Sequence, residues 1–108
     1  MRAVLVQDLI ALARCMLVLP LEDRRYFARL ILGFAEIADK HRDATGQAHP
    51  VHGDGTLVAA LAEYPRGPAR PVDCPDFGSC ISTALSEVKK CRENHPLEHE
   101  MQRGTEGS

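Results

Sequence analysis

The chain contains no tryptophan, three phenylalanines and two tyrosines, so aromatic residues make up 5% of its 108 positions. Any core must therefore be built mainly from Leu, Ile, Val, Met and Ala. That palette favours helices over sheets, whose strands draw on aromatic and β-branched side chains. An excess of positive charge is also missing. Thirteen Lys and Arg stand against fifteen Asp and Glu, a net of −2, which excludes the global basic field of a dedicated nucleic-acid binder. Contact with nucleic acid would have to come from local patches or from many copies assembled together. No long uninterrupted apolar run is present. The most apolar stretch, residues 4–19, is broken by Asp8 and Arg14 and is followed by Pro20-Leu21-Glu22-Asp23-Arg24-Arg25. It falls short of the roughly 20 apolar residues that span a bilayer and precedes no small-residue cleavage site. It reads as a buried helix of a cytoplasmic protein with no membrane association.

What is present fits one domain with a modest aliphatic core, a size at which oligomerisation is a common way to add buried area. The four cysteines, Cys15, Cys74, Cys80 and Cys91, are expected to be reduced in a cytoplasmic chain. Five residues separate Cys74 from Cys80 and ten separate Cys80 from Cys91, spacings that match no zinc pattern. Cys15, Cys80 and Cys91 fall on apolar faces of expected helices, where a free thiol behaves as a small hydrophobe.

The expected fold is all-α: an N-terminal antiparallel helical hairpin over 4–45, two further helices at about 56–64 and 75–94, and a disordered tail over 96–108. The first helix runs from about residue 4 or 7 to 19. Leu9, Ile10, Leu12, Ala13, Met16 and Leu17 cover most of its circumference, so it must be covered on more than one side. Pro20 ends it and suits the first position of a second helix, whose Glu22 and Asp23 complement the dipole. That helix stops at Gly46, a C-terminal glycine. Its residues Phe27, Leu30, Phe34, Ile37 and His41 step by three and four over about two heptads. Packing within the chain and packing against copies of itself both account for this seam. The second becomes attractive because the first helix has more apolar surface than the second can hide.

The other face of the second helix carries Arg24, Arg25 and Arg29 among Glu36, Asp39, Lys40, Arg42 and Asp43. Arg25 and Arg29 are a like-charge pair one turn apart, slightly destabilising unless an acidic group sits nearby. Residues 46–55 form a glycine-rich loop, after which Asp54 or Thr56 caps a short helix. A Pro/Gly/Arg connector over 65–71 leads to the last helix, opening at Pro75-Asp76. Its apolar residues again step by three and four, and Lys89, Lys90 and Arg92 lie at its C-terminal end, where the dipole favours cations.

Little chemistry is legible. His49, His52 and Asp54 form the one compact group of ligand-type side chains, but structural zinc wants four ligands and no cysteine is near in sequence. Gly53-Asp54-Gly55-Thr56 lacks the lysine and the glycine pattern of a phosphate-binding loop. Ser79, Ser82 and Ser86 have no accompanying base. The expectation is a non-enzymatic protein without cofactor or metal.

One resemblance adds a function. The strings Asp39-Lys40-His41-Arg42, Thr45-Gly46-Gln47-Ala48-His49-Pro50 and His52-Gly53-Asp54-Gly55-Thr56-Leu57, before an Ala-rich helix, resemble a family of short proteins from Rhodobacter-type alphaproteobacteria. The resemblance covers about residues 2–93, and the His-Pro-x-x-Gly-x-Gly loop is its most distinctive part. That family resembles the small terminase subunit of gene transfer agents, the phage-like particles that package host DNA. Small terminases build rings from a long helical hairpin and present DNA to a large subunit that holds the ATPase and nuclease. The resemblance implies a homo-oligomer, in those proteins a ring, joined through Leu9, Leu12, Met16, Phe27, Leu30 and Phe34. It implies a large terminase as partner, met through Lys89, Lys90 and Arg92. Phage small terminases usually carry an N-terminal helix-turn-helix domain, whereas here the hairpin begins almost at Met1. The implied contact with double-stranded DNA is therefore weak and non-specific, through Arg24, Arg25 and Arg29. A small regulatory protein-binding module with no DNA contact is the alternative.

Overall fold

The computed structural model describes residues 1–94; the tail expected over 96–108 lies outside the described residues. Four helices follow in order: α1 (Val6–Leu17), α2 (Leu21–Thr45), α3 (Leu57–Ala60) and α4 (Pro75–Asn94). The described residues contain no strand, only an isolated bridge between His49 and Gly53. The fold is all-α, as the aromatic-poor composition indicates.

Local chemistry sets each boundary. Asp8 turns back at the start of α1, its carboxylate accepting the Leu5 N–H at 2.8 Å and satisfying a backbone donor that a helix start would leave open. Pro20, with φ −56° and ψ 150°, separates α1 from α2, whose first turn carries Glu22 and Asp23. Gly46 closes α2 in the left-handed region at φ 73°, its N–H donating to the Arg42 carbonyl at 2.7 Å. Thr56 caps α3, its Oγ1 accepting the Ala59 N–H. α3 is shorter than expected. Beyond it, Ala62 N–H bonds the Ala59 carbonyl and Tyr64 N–H the Leu61 carbonyl. These tighter i→i+3 turns suit a chain approaching Pro65, before which the α conformation is disfavoured.

The core gathers Leu12, Ala13 and Met16 from α1, Ala28, Ile31 and Ala35 from α2, Leu57 and Leu61, and Phe77, Cys80 and Ala84 from α4. Phe77 is the largest side chain buried within it. The alanines let aliphatic side chains of one helix approach the backbone of the next, the close packing that a core poor in rings requires. α1 packs most extensively on α4 and less on α2 and α3. The apolar surface that α2 alone could not hide is thus covered inside the chain. This corrects the interface expected at Leu12 and Met16: both are 0% exposed and have no surface left for a second copy. No helix among the described residues is long and apolar enough to cross a membrane.

Two irregular segments are fastened to this frame. Gly67 N–H donates to the Arg14 carbonyl at 2.8 Å, and Arg14 Nε donates back to the Gly67 carbonyl at 2.9 Å. At the other end, the Met1 ammonium donates to Glu36 Oε1 at 2.8 Å and Asp39 Oδ2 at 3.0 Å. Arg92 donates to the carbonyls of Met1 and Arg2. The Arg2 N–H continues to the carbonyl of Gly55, and this glycine is required twice over. Its φ is +97°, and an added Cβ would stand 2.9–3.0 Å from Asp39. Gly55→Ala is expected to lower stability by about 1–3 kcal/mol, the usual cost of a strained backbone conformation. Gly33→Ala, at a helical position with nothing within 4 Å of the new methyl, is expected to raise stability by about 0.5–1 kcal/mol. Urea denaturation of the two variants beside the parent checks both signs.

Candidate nucleic-acid interface on α2 and α4

α2 carries its arginines toward α4. Arg25 and Arg29, one turn apart, share a face and meet the same carboxylate: Arg25 Nη1 bonds Glu87 Oε2, and Arg29 Nε bonds Glu87 Oε1 at 2.7 Å. Lys90 approaches Glu87 Oε2 at 3.4 Å from within α4. Glu87 is 3% exposed. Burial alone would raise its pKa, but the hydrogen bonds from Arg29 and Arg25 outweigh it and hold the carboxyl below its ordinary value. Three cations surround one carboxylate, so the cluster keeps an excess of positive charge. The side chains of Arg25, Arg29 and Lys90 remain 46%, 58% and 56% exposed, which leaves part of each cation open to an anion from solvent.

Arg24 differs. Its side chain is 11% exposed, with Nε on the Leu19 carbonyl at 3.1 Å and Nη1 on Asp76 Oδ1 at 2.7 Å. It joins the end of α1 and the first turns of α2 and α4, and lowers the pKa of Asp76 chiefly through that hydrogen bond. It is not placed to hold DNA. Of the three cations expected to meet a partner, Lys89 is exposed, Lys90 belongs to the Glu87 cluster, and Arg92 holds the N-terminal segment. Leu9, Phe27 and Phe34 are half-buried against the core; of the expected interface residues only Leu30, at 36%, is exposed.

Glu87 is the residue that sequence reasoning passed over. A signal for it exists. Phe77, Cys80, Ala84, Glu87 and Cys91 step by three and four along the face of α4 that packs on the rest of the chain, and one of the five is charged. Beside a pair of arginines whose one acidic neighbour on α2 at helical spacing is Glu22, that charge is informative. Between the same helices runs an open groove of about 550 Å³, with Leu32, Ile37 and Cys91 along it and Arg29, Lys40 and Lys90 at its edges.

On the opposite side of α2 the loop over 46–55 stacks its imidazoles in a row. His52 lies parallel to Phe34 at 4.2 Å and to His49 at 4.9 Å, and His41 meets His49 edge-on at 5.0 Å. His49 Nδ1 accepts the N–H groups of Val51 and His52 at 3.0 and 3.1 Å, which puts the ring proton on Nε2. Desolvation, then the charges of His52 and His41, lower its pKa. Asp54 does not join the histidines: its Oδ1 accepts from the N–H and hydroxyl of Thr56. Among the described residues no group of three or more His, Cys, Asp or Glu is placed to hold a metal ion. The cysteines are free, and burial raises the thiol pKa of Cys15, Cys80 and Cys91.

Residues 2–88 match the profile of a family described as DUF7742, a domain of unknown function. The chain belongs to that family. The DUF7742 match runs through α1, α2 and α3 and takes in Glu87 with both of its arginines, while Lys89, Lys90 and Arg92 lie beyond it. No curated protein and no solved structure matches the chain.

Glu87→Gln keeps the size of the side chain and removes the charge that the cations enclose. It is expected to cost about 1–3 kcal/mol of stability, the range for a hydrogen-bonded charged group with partly solvated partners. Two acid windows follow from linkage. The folded pKa of His49 is depressed, so below about pH 6.5 the unfolded chain takes up the proton first, and that stability is lost as pH falls. The folded pKa of Glu87 is also depressed, so its contribution is complete above the ordinary carboxylate value of 4.5 and is lost as pH drops through the folded value. Thermal midpoints across pH check this. His49→Asn, whose amide oxygen can accept the same backbone N–H groups, should flatten the upper window. Glu87→Gln should shrink the lower, to which Asp54 and Asp76, also held below their ordinary values, contribute the rest.

Proposed function

We propose that this chain is a non-enzymatic DNA-packaging adaptor of the small-terminase type, homo-oligomeric, touching double-stranded DNA weakly and without sequence preference, and recruiting a large terminase subunit. The observation that supports the reading is the half-exposed cluster of Arg25, Arg29 and Lys90 around Glu87. One such patch is a weak phosphate site. Repeated around an assembly, the patches sum, and a chain of net charge −2 presents local positive strips to a polyanion. Lys89, exposed on the last turns of α4 beside Lys90, offers the cationic surface for the large subunit. The resemblance of the His-Pro-x-x-Gly-x-Gly loop and its flanks to gene-transfer-agent small terminases supports the same reading.

The test is fluorescence anisotropy with duplexes of unrelated sequence across a salt series. Affinity should be similar for all duplexes and fall linearly on a log–log salt plot, each phosphate contact adding about 0.9 to the slope. Because Arg25 and Arg29 also hold α4, charge reversal there would set new carboxylates against Glu87. The informative variant therefore combines Arg25→Gln and Arg29→Gln with Glu87→Gln, so that no buried carboxylate is left without its partners. It is expected to weaken binding and flatten the slope, beside Arg25→Lys with Arg29→Lys, expected to retain most of both. Absence of binding at low salt would favour a regulatory module that meets only protein.

A further inference from the structure

α2 divides its circumference three ways. One side meets α4 through Arg25 and Arg29, and the other meets the histidine loop through Phe34. The crest between them forms the outer bank of the open groove toward α4 through Gly33 and Ile37, exposed along its length. Tyr26, Leu30, Gly33 and Ile37 succeed each other along this crest at steps of four, three and four. Tyr26 is 69% exposed, Ile37 50% and Leu30 36%. Gly33 is exposed, and a methyl built on it meets nothing within 4 Å. A helical glycine in the middle of an apolar stripe lowers the ridge and lets a second helix approach closely. Nothing in the packing of the chain on itself uses that gap.

The charges flanking the crest say what fills it. Glu22, in the first turn, and Lys40, near the far end, are exposed, and neither is in an ion pair among the described residues. Tyr26 lies seven residues before Gly33 and Lys40 seven after it. A two-fold axis at Gly33, relating two antiparallel copies of α2, therefore brings each Tyr26 beneath the other copy's Lys40, a cation over an aromatic face. Leu30 of one copy then packs on Ile37 of the other. Glu22 lies one turn from Tyr26 on the same rim as Lys40, so the same operation sets Glu22 within one turn of the opposing ammonium, while Arg29 on that rim is drawn away to Glu87 of its own chain. A patch that complements itself under a two-fold rotation is what an isologous interface requires. We propose that the crest of α2 centred on Gly33 is a homodimer interface, antiparallel and two-fold, with a second copy of this chain as its occupant. One pair of crossing helices buries a small interface, so the dimer forms in the micromolar range. This deepens the assembly part of the adaptor reading and is independent of its DNA part.

Sedimentation equilibrium over a concentration series tests it. The parent should pass from monomer to dimer, reversibly. Gly33→Gln should raise the dissociation constant by about tenfold or more, while urea denaturation shows no loss of monomer stability, since the position is helical and open. Lys40→Glu and Glu22→Lys should each weaken the dimer. Their combination should restore it, a result that a parallel arrangement or another surface would not give. A parent that assembles with a mass indifferent to all these variants would overturn the α2 crest and leave assembly through a different surface. A parent that stays monomeric at every concentration would overturn the crest and the oligomeric adaptor together.

Discussion

Glu87 is the carboxylate of α4 that faces the interior, and its burial is tolerable only where two guanidinium groups of α2 reach it. A buried charge left without partners is among the most costly local errors a fold can contain. Here a slide of α4 along α2 by one turn would strip Glu87 of one guanidinium, and a longer slide of both. The aliphatic surfaces do not discriminate so sharply. Ala28, Ile31, Leu32 and Ala35 present a row of similar shapes, and a slide of one turn would still bury leucine against alanine. In a core with so few rings, shape fixes the fold loosely and the ion cluster fixes the register. The described residues hold no buried side-chain nitrogen or oxygen without a hydrogen-bond partner, so the constraint is met throughout.

The same cluster explains which parts of the structure were legible in the sequence. Pro20, Gly46, Thr56 and Pro75 act on their immediate neighbours, and the helix limits they mark were readable because the physics is local. What joins the helices is not local. Arg25 and Glu87 are far apart in the chain, and only the out-of-place charge on the seam of α4 hinted that they meet. The apolar excess of α1 was read correctly as a need for several covering partners. The partner turned out to be chiefly α4 rather than another molecule, because nothing in the order of elements says that the last helix returns to the first. The arginine strip was visible as a strip, but not its division into a structural Arg24 and a half-exposed Arg25 and Arg29.

That division separates two kinds of surface on α2. The flank facing α4 combines holding and presenting in the same side chains, so changing it for one purpose disturbs the other. The crest carries no such double duty: its residues are exposed, its glycine is unopposed, and substitutions there leave the core untouched. An assembly surface placed on the crest can change while the fold stays fixed. A phosphate-binding surface placed on the flank is bound to the geometry of Glu87. The family match includes both, and the two should drift at different rates among its members.

The paired hydrogen bonds between Gly67 and Arg14 have a consequence for chain length. The segment between α3 and α4 is rich in proline and glycine and would, if held only at its ends, sweep across the end of α1. Fastened near its middle, it becomes two short spans, and the entropy of closing each grows only with the logarithm of its length. Residues inserted after Ala69 would bulge outward without disturbing the fastening. Residues inserted before Pro65 would push on the turn that carries buried Leu61. Growth and shrinkage of this connector are therefore channelled to one side of a single backbone contact, which works as a ratchet on how the loop can diverge.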